Sequence, residues 1–120
     1  MHVRGIDATY YTVENIDAVT AFYTKILGNP TITVPGAVSE WTFADESSFG
    51  LYHLGGKPPH PFGSVMFAVD DLAATIKDLE AAGITLPNGG SLTETAVCHM
   101  AFGFDPEGNQ FILHHRKPAA

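Results

Sequence analysis

The strongest constraint on the fold of this chain is an internal repeat. When Val69 is placed beneath Val13, at an offset of 56 residues, the segment VDDLAATI aligns with VENIDAVT. Asp71 and Asn15 then occupy the same place, and in both halves a glycine follows the helical pattern. Because the repeat covers nearly the whole chain, it predicts that each half folds as the same supersecondary unit.

Each half begins with the pattern of a strand followed by a helix. Residues 3–13 are rich in Thr and Tyr, which favours a strand. Asn15 and Asp71 are predicted N-caps, because a short polar side chain can accept a hydrogen bond from a free backbone N–H. Gly28 and Gly83 are predicted to end the two helices. Apolar residues at helical spacing are Val19, Phe22 and Ile26 in the first helix and Leu72, Ile76 and Leu79 in the second.

The remainder of each half has strand character, so the predicted order is β-α-β-β-β twice. Residues 55–61 contain three prolines and two glycines, which predicts a linker. Each half is predicted to be too short for a core of its own, so we predict a single domain, 1–120, with modules 2–54 and 62–117. The predicted strands after the helices are 31–34, 40–44 and 49–54, then 84–86, 95–104 and 110–116.

The last two predicted strands are joined by the sequence DPEGN at residues 105–109. Pro106 fixes φ at the first central position of this turn, and Gly108 tolerates the bend. A strand–DPxGN–strand hairpin in a repeated chain of this size resembles the vicinal oxygen chelate superfamily, which includes glyoxalase I, bleomycin-resistance proteins and extradiol dioxygenases. The resemblance implies an α+β fold in which two βαβββ modules form a curled mixed sheet with a central cup.

The resemblance also implies where metalloenzymes of this superfamily would hold a metal ion. The four positions that match are Ala8, Leu51, Ser64 and Ile112. Ala, Leu and Ile offer no lone pair, and Ser is a poor ligand for Zn²⁺, Ni²⁺ or Fe²⁺. We therefore predict no metal, no cofactor and no catalytic residue at the usual positions.

A displaced histidine site is the alternative. His53 and His114 lie two residues beyond Leu51 and Ile112, so strand alternation predicts that they face the cup as well. His99 lies on the neighbouring strand, and its orientation is left open. These imidazoles would either bind a metal or act as a general base, or they would serve only as hydrogen-bonding and structural groups.

Strand alternation also selects residues for the wall of the cup. Val65, Phe67 and Val69 form a fully apolar face suited to helix packing, and Ser64, Met66 and Ala68 oppose them. Tyr10 has the parity of the cup, and Trp41 is placed at its rim, with core or interface packing as the alternative. Tyr52 is interpreted as a packing residue and Glu40 as peripheral. The candidate ligand-binding residues are Tyr10, Trp41, His53, Ser64, Met66, His99, Ile112 and His114.

The charge balance narrows the choice of partner. Thirteen acidic residues against six basic ones give a net charge of −7, which argues against nucleic acid. The charge suits a cationic or neutral small molecule, although solubility alone also explains it. No apolar run approaches the roughly 18 residues needed to span a membrane. The single cysteine, Cys98, fits a reducing cytoplasm and is interpreted as a small buried residue.

Two functions follow from these observations. The first is a non-enzymatic small-molecule binding protein, for a drug or a metabolite, that resembles bleomycin-resistance proteins; the resemblance then implies a homodimer. The alternative is a glyoxalase- or dioxygenase-like lyase, isomerase or oxygenase that uses His53, His99 or His114.

Overall fold

Both halves of the chain fold in the order β-α-β-β-β that the repeat predicts. The computed structural model describes residues 2, 6–53, 55 and 63–117. Backbone contacts divide the chain into two compact units, Met1–Pro61 and Phe62–Ala120. The assignment of both modules to a single domain stays a prediction, and of the predicted linker only Gly55 lies within the described residues.

The first unit is a four-stranded mixed sheet with one helix. Its strands follow the order β1-β4-β3-β2, with β1 parallel to β4 and the other neighbours antiparallel. The elements are β1 Ala8–Thr12, α1 Ile16–Leu27, β2 Ile32–Val34, β3 Val38–Thr42 and β4 Ser48–Tyr52.

The second unit repeats this topology, in the order β5-β8-β7-β6, with β5 parallel to β8. The strand predicted at 84–86 is wrong. The Ile84 N–H bonds to the Leu79 carbonyl at the end of the helix, and the 3₁₀ turn Pro87–Gly90 follows directly. The elements are β5 Ser64–Ala68, α2 Leu72–Ala81, β6 Thr93–Glu94, β7 Cys98–Phe104 and β8 Gln110–Arg116.

The predicted N-caps of both helices are confirmed. Asn15 Oδ1 accepts a hydrogen bond from the Ala18 N–H at 3.1 Å, and Asp71 Oδ1 accepts one from the Ala74 N–H at 3.0 Å. Each side chain satisfies a backbone donor that the helix itself leaves unpaired. The helices therefore begin where the local sequence predicts.

The buried stripe of α2 is the predicted one, whereas that of α1 is partly wrong. Leu72, Ile76 and Leu79 are buried. In α1 the buried residues are Ile16, Val19 and Tyr23, while Phe22 and Ile26 are half-buried. Tyr23 displaces Phe22 from the core because its ring packs against the aromatic residues of the sheet.

The turn at residues 105–109 is held by side chains as well as by its backbone. Asp105 Oδ1 accepts hydrogen bonds from the N–H groups of Glu107 at 2.8 Å and Asn109 at 2.9 Å. Asn109 Oδ1 in turn accepts one from the Gly63 N–H at 2.9 Å. Gly108 has φ +86°, a value that favours glycine. The turn therefore joins β7 to β8 and also ties the start of β5 to them.

Each unit has its own core between its helix and its sheet, so the prediction that a half is too short for a core of its own is wrong. In the first unit the core is aromatic, and the ring centroids of Tyr23 and Phe49 lie 5.0 Å apart. In the second unit, Phe111 of β8 is fully buried and its ring lies against Gly103 of β7. A fold with a helix on one face of each sheet leaves the opposite face available to other groups.

Candidate functional site

The first sheet has one face packed on α1 and a second face that we call its distal face. Strand register places Tyr10 beside Gly50, Glu40 beside Gly50, and Thr12 beside Tyr52. Alternation then assigns every second residue of each strand to this face. The distal face of the first sheet comprises Ala8, Tyr10, Thr12, Ile32, Val34, Val38, Glu40, Thr42, Ser48, Gly50 and Tyr52.

Two tyrosines and a glutamate meet on this distal face. The rings of Tyr10 and Tyr52 pack edge to face, with centroids 4.8 Å apart and planes at 85°. Tyr52 Oη donates a hydrogen bond to Glu40 Oε2 at 3.1 Å. Tyr10 is 58% exposed, which is unusual for so large a ring. We call Tyr10, Tyr52 and Glu40 the tyrosine–glutamate cluster.

Gly50 is what allows Tyr52 to lie across the sheet. A Cβ built on Gly50 would stand 3.0 Å from Tyr52 Cε2. The ring therefore occupies the space that a side chain at position 50 would fill. Gly50 is buried in consequence, although it belongs to the distal face.

The electrostatics of the cluster favour a protonated phenol beside a carboxylate. The pKa of Tyr52 is raised above its ordinary value, first by burial, then by the hydrogen bond and the charge of Glu40, and also by Tyr10. Both ion pairs that the described residues form involve Glu94, so neither neutralises Glu40. The cluster thus presents aromatic rings beside a carboxylate that no described basic residue pairs with.

Trp41 lies in the core, so its predicted place at the rim is wrong. It is 2% exposed, and its Nε1–H donates a hydrogen bond to the Gly28 carbonyl at 2.8 Å. Strand register pairs it with Phe49, on the face that packs against Tyr23 of α1. The physical reason is parity, since Glu40 takes the distal face and its neighbour must take the opposite one.

The prediction that Leu51 and His53 face the cup is also wrong. Leu51 is fully buried on the α1 side, and Gly50 holds the distal position instead. His53 lies two residues beyond Leu51 on the α1 side, and its Nδ1 lies 2.9 Å from the Val13 carbonyl oxygen. The prediction places the cup-facing residues of β4 one position too late along the chain, because it follows from the resemblance and not from strand pairing.

His99 does not share a face with His114. Register pairs His99 with His115 and with Glu94, whereas His114 pairs with Met100 and Ala68. His99 Nε2 lies 3.6 Å from Glu94 Oε1, which also binds Lys117 Nζ at 2.7 Å. Lys117, and secondarily His99, lower the pKa of the Glu94 carboxyl. His99 therefore lies in a surface cluster with Glu94 and Lys117, on the α2 side of the second sheet.

The remaining predicted residues lie together on the distal face of the second sheet. Met66 pairs with Ile112, and Ala68 pairs with His114. Ser64 Oγ donates a hydrogen bond to Gln110 Oε1 at 2.9 Å. Met66 is 56% exposed, whereas Ile112 is buried although it belongs to this face. The ligand-binding role of Ser64, Met66, Ile112 and His114 stays a prediction.

The donor set does not suit the metal site that the resemblance implies. With the corrected register, the four positions are Ala8, Gly50, Ser64 and Ile112, of which only Ser64 carries a polar side chain. Above Gly50 the space is filled by the ring of Tyr52. Across residues 6–53 and 63–117, no group of three or more His, Cys, Asp and Glu side chains is arranged to hold a metal ion. These residues do not fit a bound divalent metal.

The structure brings together two residues that sequence reasoning set aside, Tyr52 and Glu40. They lie 12 residues apart and meet only because β3 pairs with β4 in one particular register. A signal for Tyr52 was present in the repeat. The Val13 N–H donates a hydrogen bond to the Tyr52 carbonyl, and in the second unit the Val69 N–H donates one to the His114 carbonyl. Because Val13 and Val69 are equivalent in the repeat, Tyr52 corresponds to His114.

A shallow concavity of about 240 Å³ lies on the other side of the first sheet, between α1 and β2–β3. Its lining includes Thr20 and Ser39, whose hydroxyl oxygens are 2.8 Å apart in a mutual hydrogen bond. Because these hydroxyls satisfy each other, we assign no ligand to this concavity.

Comparison with known proteins identifies relatives of the whole chain. A family model described as Glyoxalase/Bleomycin resistance protein/Dioxygenase superfamily matches residues 5–113. A relative from Vibrio parahaemolyticus, named probable lactoylglutathione lyase, is 29% identical over an alignment of 125 positions, which covers 93% of this chain and 91% of the relative.

Solved structures resemble the chain at lower sequence identity. An integron cassette protein from the mobile metagenome of V. cholerae has a TM-score of 0.75 and 23% identity, covering 96% of this chain and 97% of its own. A glyoxalase / bleomycin resistance protein from Catenulispora acidiphila has a TM-score of 0.77 and 16% identity, covering 95% and 100%. At these identities the likeness concerns the fold alone. In the described part of the chain, neither helix has the length and apolar character that crossing a membrane requires.

Proposed function

The chain belongs to the Glyoxalase/Bleomycin resistance protein/Dioxygenase superfamily, and from that premise we propose that it binds and sequesters a small molecule without converting it. The observation that carries the proposal is the donor set at Ala8, Gly50, Ser64 and Ile112. Three of these side chains have no atom that can bind a metal ion. The ring of Tyr52 further fills the space above Gly50.

The distal faces supply the kind of surface that a bound molecule needs. Tyr10 is exposed on the first sheet, and Met66 and Phe104 are exposed on the second. Large aromatic and thioether side chains offer contact area at low entropic cost, and a few polar groups beside them fix the orientation of a ligand. We extend the proposal to a drug or a metabolite as ligand, to a homodimer and to a cytoplasmic location. Sequestration of a drug would confer resistance to it.

A lyase activity is the second candidate, because the Vibrio parahaemolyticus relative bears the name probable lactoylglutathione lyase. Of the three histidines considered for such a reaction, His53 is hydrogen-bonded on the α1 side and His99 lies beside Glu94. His114 remains as the one on a distal face. In this alternative, His114 would act as a general base without a metal.

Metal content and turnover separate the two candidates. We would measure metals by elemental mass spectrometry on untagged protein purified without chelator. The same protein would be assayed with the hemithioacetal of methylglyoxal and glutathione, and with catechol. Turnover that His114→Ala abolishes, or a stoichiometric metal needed for turnover, would overturn sequestration.

A ligand screen then tests binding directly. We would screen cationic and aromatic antibiotics by thermal shift and compare each hit in the protein and in Tyr10→Ala. The proposal expects no turnover together with a compound whose stabilising effect is weakened in the variant. Because Tyr10 is exposed, the variant itself should unfold at nearly the same temperature as the parent.

A further inference from the structure

We propose that the tyrosine–glutamate cluster is a subsite for an organic cation, either a quaternary ammonium or a charged aromatic ring. This inference rests on the proposed function and deepens it, because it names the chemical class of ligand that the first sheet would take. The cluster is formed by Tyr10, Tyr52 and Glu40 on the distal face of the first sheet.

The two rings form a corner that suits a cation. Their planes stand at 85° with centroids 4.8 Å apart, so the faces of Tyr10 and Tyr52 point in different directions. The face of a tyrosine ring is electron-rich and attracts a cation that lies within about 6 Å of its centroid. Tyr10 is mostly exposed, so one ring is accessible from solvent without any rearrangement.

Glu40 supplies the charge that distinguishes a cation from a neutral aromatic compound. Its Oε2 accepts the hydrogen bond of Tyr52, which holds the carboxylate in place. The ion pairs found within the described residues leave Glu40 without a basic partner. A half-buried carboxylate is screened less by salt than an exposed one, so its attraction for a nearby cation is stronger.

Two neighbouring residues fix the position of the Tyr52 ring. Gly50 provides the room in which its ring lies, and Glu40 accepts its hydroxyl proton in a hydrogen bond. The hydroxyl of Tyr52 is protonated at neutral pH, as for an ordinary tyrosine, and its raised pKa extends that state, so the phenol can donate its hydrogen bond to Glu40. The net charge of −7 adds a long-range attraction for cations.

The test compares two probes that differ mainly in charge. N-methylquinolinium is a planar cation, and quinoline is its neutral counterpart near neutral pH. Each would be titrated into ¹⁵N-labelled protein while the backbone amide shifts are followed by NMR. We expect N-methylquinolinium to bind about fivefold or more tightly than quinoline, with the largest shifts at Tyr10, Gly50 and Tyr52.

Matched variants assign the preference to the cluster. Glu40→Gln removes the charge but keeps an acceptor for Tyr52, so it should reduce the preference for the cation to the part that the two rings and the remaining net charge supply. Glu80→Gln removes the same charge from an exposed position on α2 and should preserve the preference. Tyr10→Leu should weaken both probes. The amide spectra of all variants would show whether each one is folded.

Several outcomes would overturn the cation subsite. They are equal affinity for the two probes, a preference that is undiminished in Glu40→Gln, shifts that map to another surface, and no saturable shift with either probe. None of these outcomes contradicts the proposed sequestration of a small molecule, since a neutral ligand would still be detected by the thermal-shift screen. Turnover of a substrate would contradict the proposed function and leave the charge preference of the cluster measurable by the same titration.

Discussion

The imidazole Nδ1 of His53 lies 2.9 Å from the carbonyl oxygen of Val13. The same contact recurs in the second unit, where His115 Nδ1 lies 2.8 Å from the carbonyl oxygen of Val69. His53 follows the central strand β4, and His115 lies one residue before the end of the central strand β8. Val13 and Val69 follow the edge strands β1 and β5. The repeat has therefore preserved a hydrogen bond that joins the ends of two parallel strands.

Removing either imidazole should destabilise the protein. We expect His53→Ala and His115→Ala each to lower the free energy of unfolding by about 1–2 kcal/mol, because a partly buried carbonyl loses its partner. Urea denaturation checks this, with His114→Ala as the control that makes no such bond. His53→Asn should recover part of the loss, since an amide nitrogen can take the place of Nδ1. A normal midpoint for His53→Ala would contradict the assignment.

Alanine should be tolerated far less at Gly103 than at Gly50. A Cβ on Gly103 would overlap the ring of Phe111, which is fully buried and cannot move aside. We expect Gly103→Ala to cost about 1–3 kcal/mol of unfolding free energy. Gly50→Ala meets only the half-buried ring of Tyr52 and should cost less while loosening the tyrosine–glutamate cluster. Equal midpoints for the two variants in chemical denaturation would be evidence against this packing.

The raised pKa of Tyr52 should depend on Glu40. In Glu40→Gln the carboxylate charge is lost, so the Tyr52 pKa should fall toward its ordinary value. ¹³Cζ-tyrosine NMR across an alkaline titration measures this directly, with Glu80→Gln as the control. Because the folded pKa lies above the unfolded one, the contribution of Tyr52 to stability is fully present below about pH 10. It is lost as the pH rises through the folded pKa, and Tyr52→Phe should remove that part of the alkaline dependence.

Trp41 should report on the core rather than on ligand binding. Its burial and the hydrogen bond to Gly28 predict blue-shifted emission that acrylamide quenches poorly. Trp41→Phe should lower the free energy of unfolding by about 1–3 kcal/mol, since it loses that bond and leaves a cavity. A strong shift of the emission when a ligand binds would contradict this assignment, because it would place the Trp41 ring beside the ligand-binding site.

Local signals in the sequence were sufficient for most of the fold. Asn15 and Asp71 cap the helices as predicted, and the turn at residues 105–109 forms where Pro106 and Gly108 indicate. Each of these features depends on atoms a few residues apart. The repeat then supplied the order of elements, because both halves carry the same signals.

The face of β4 could not be read from its own residues. Phe49, Gly50 and Leu51 are all buried, so hydrophobicity does not reveal which of them points to α1. That choice depends on pairing with β1 and β3, where a slip of one residue exchanges the faces. The errors at Leu51, His53 and Trp41 have this cause. The meeting of Tyr52 with Glu40 was missed for the same reason, since it exists only in the true register.

The close fit of Tyr52 over Gly50 restricts the evolutionary paths that are open to this protein. A single substitution that placed a glutamate at position 50, where related metalloenzymes would hold a ligand, would drive its Cβ against the ring at 3.0 Å. The ring of Tyr52 would have to move aside, and that movement would weaken its hydrogen bond to Glu40. A metal ligand at position 50 and the tyrosine–glutamate cluster would therefore compete for the same space above the sheet.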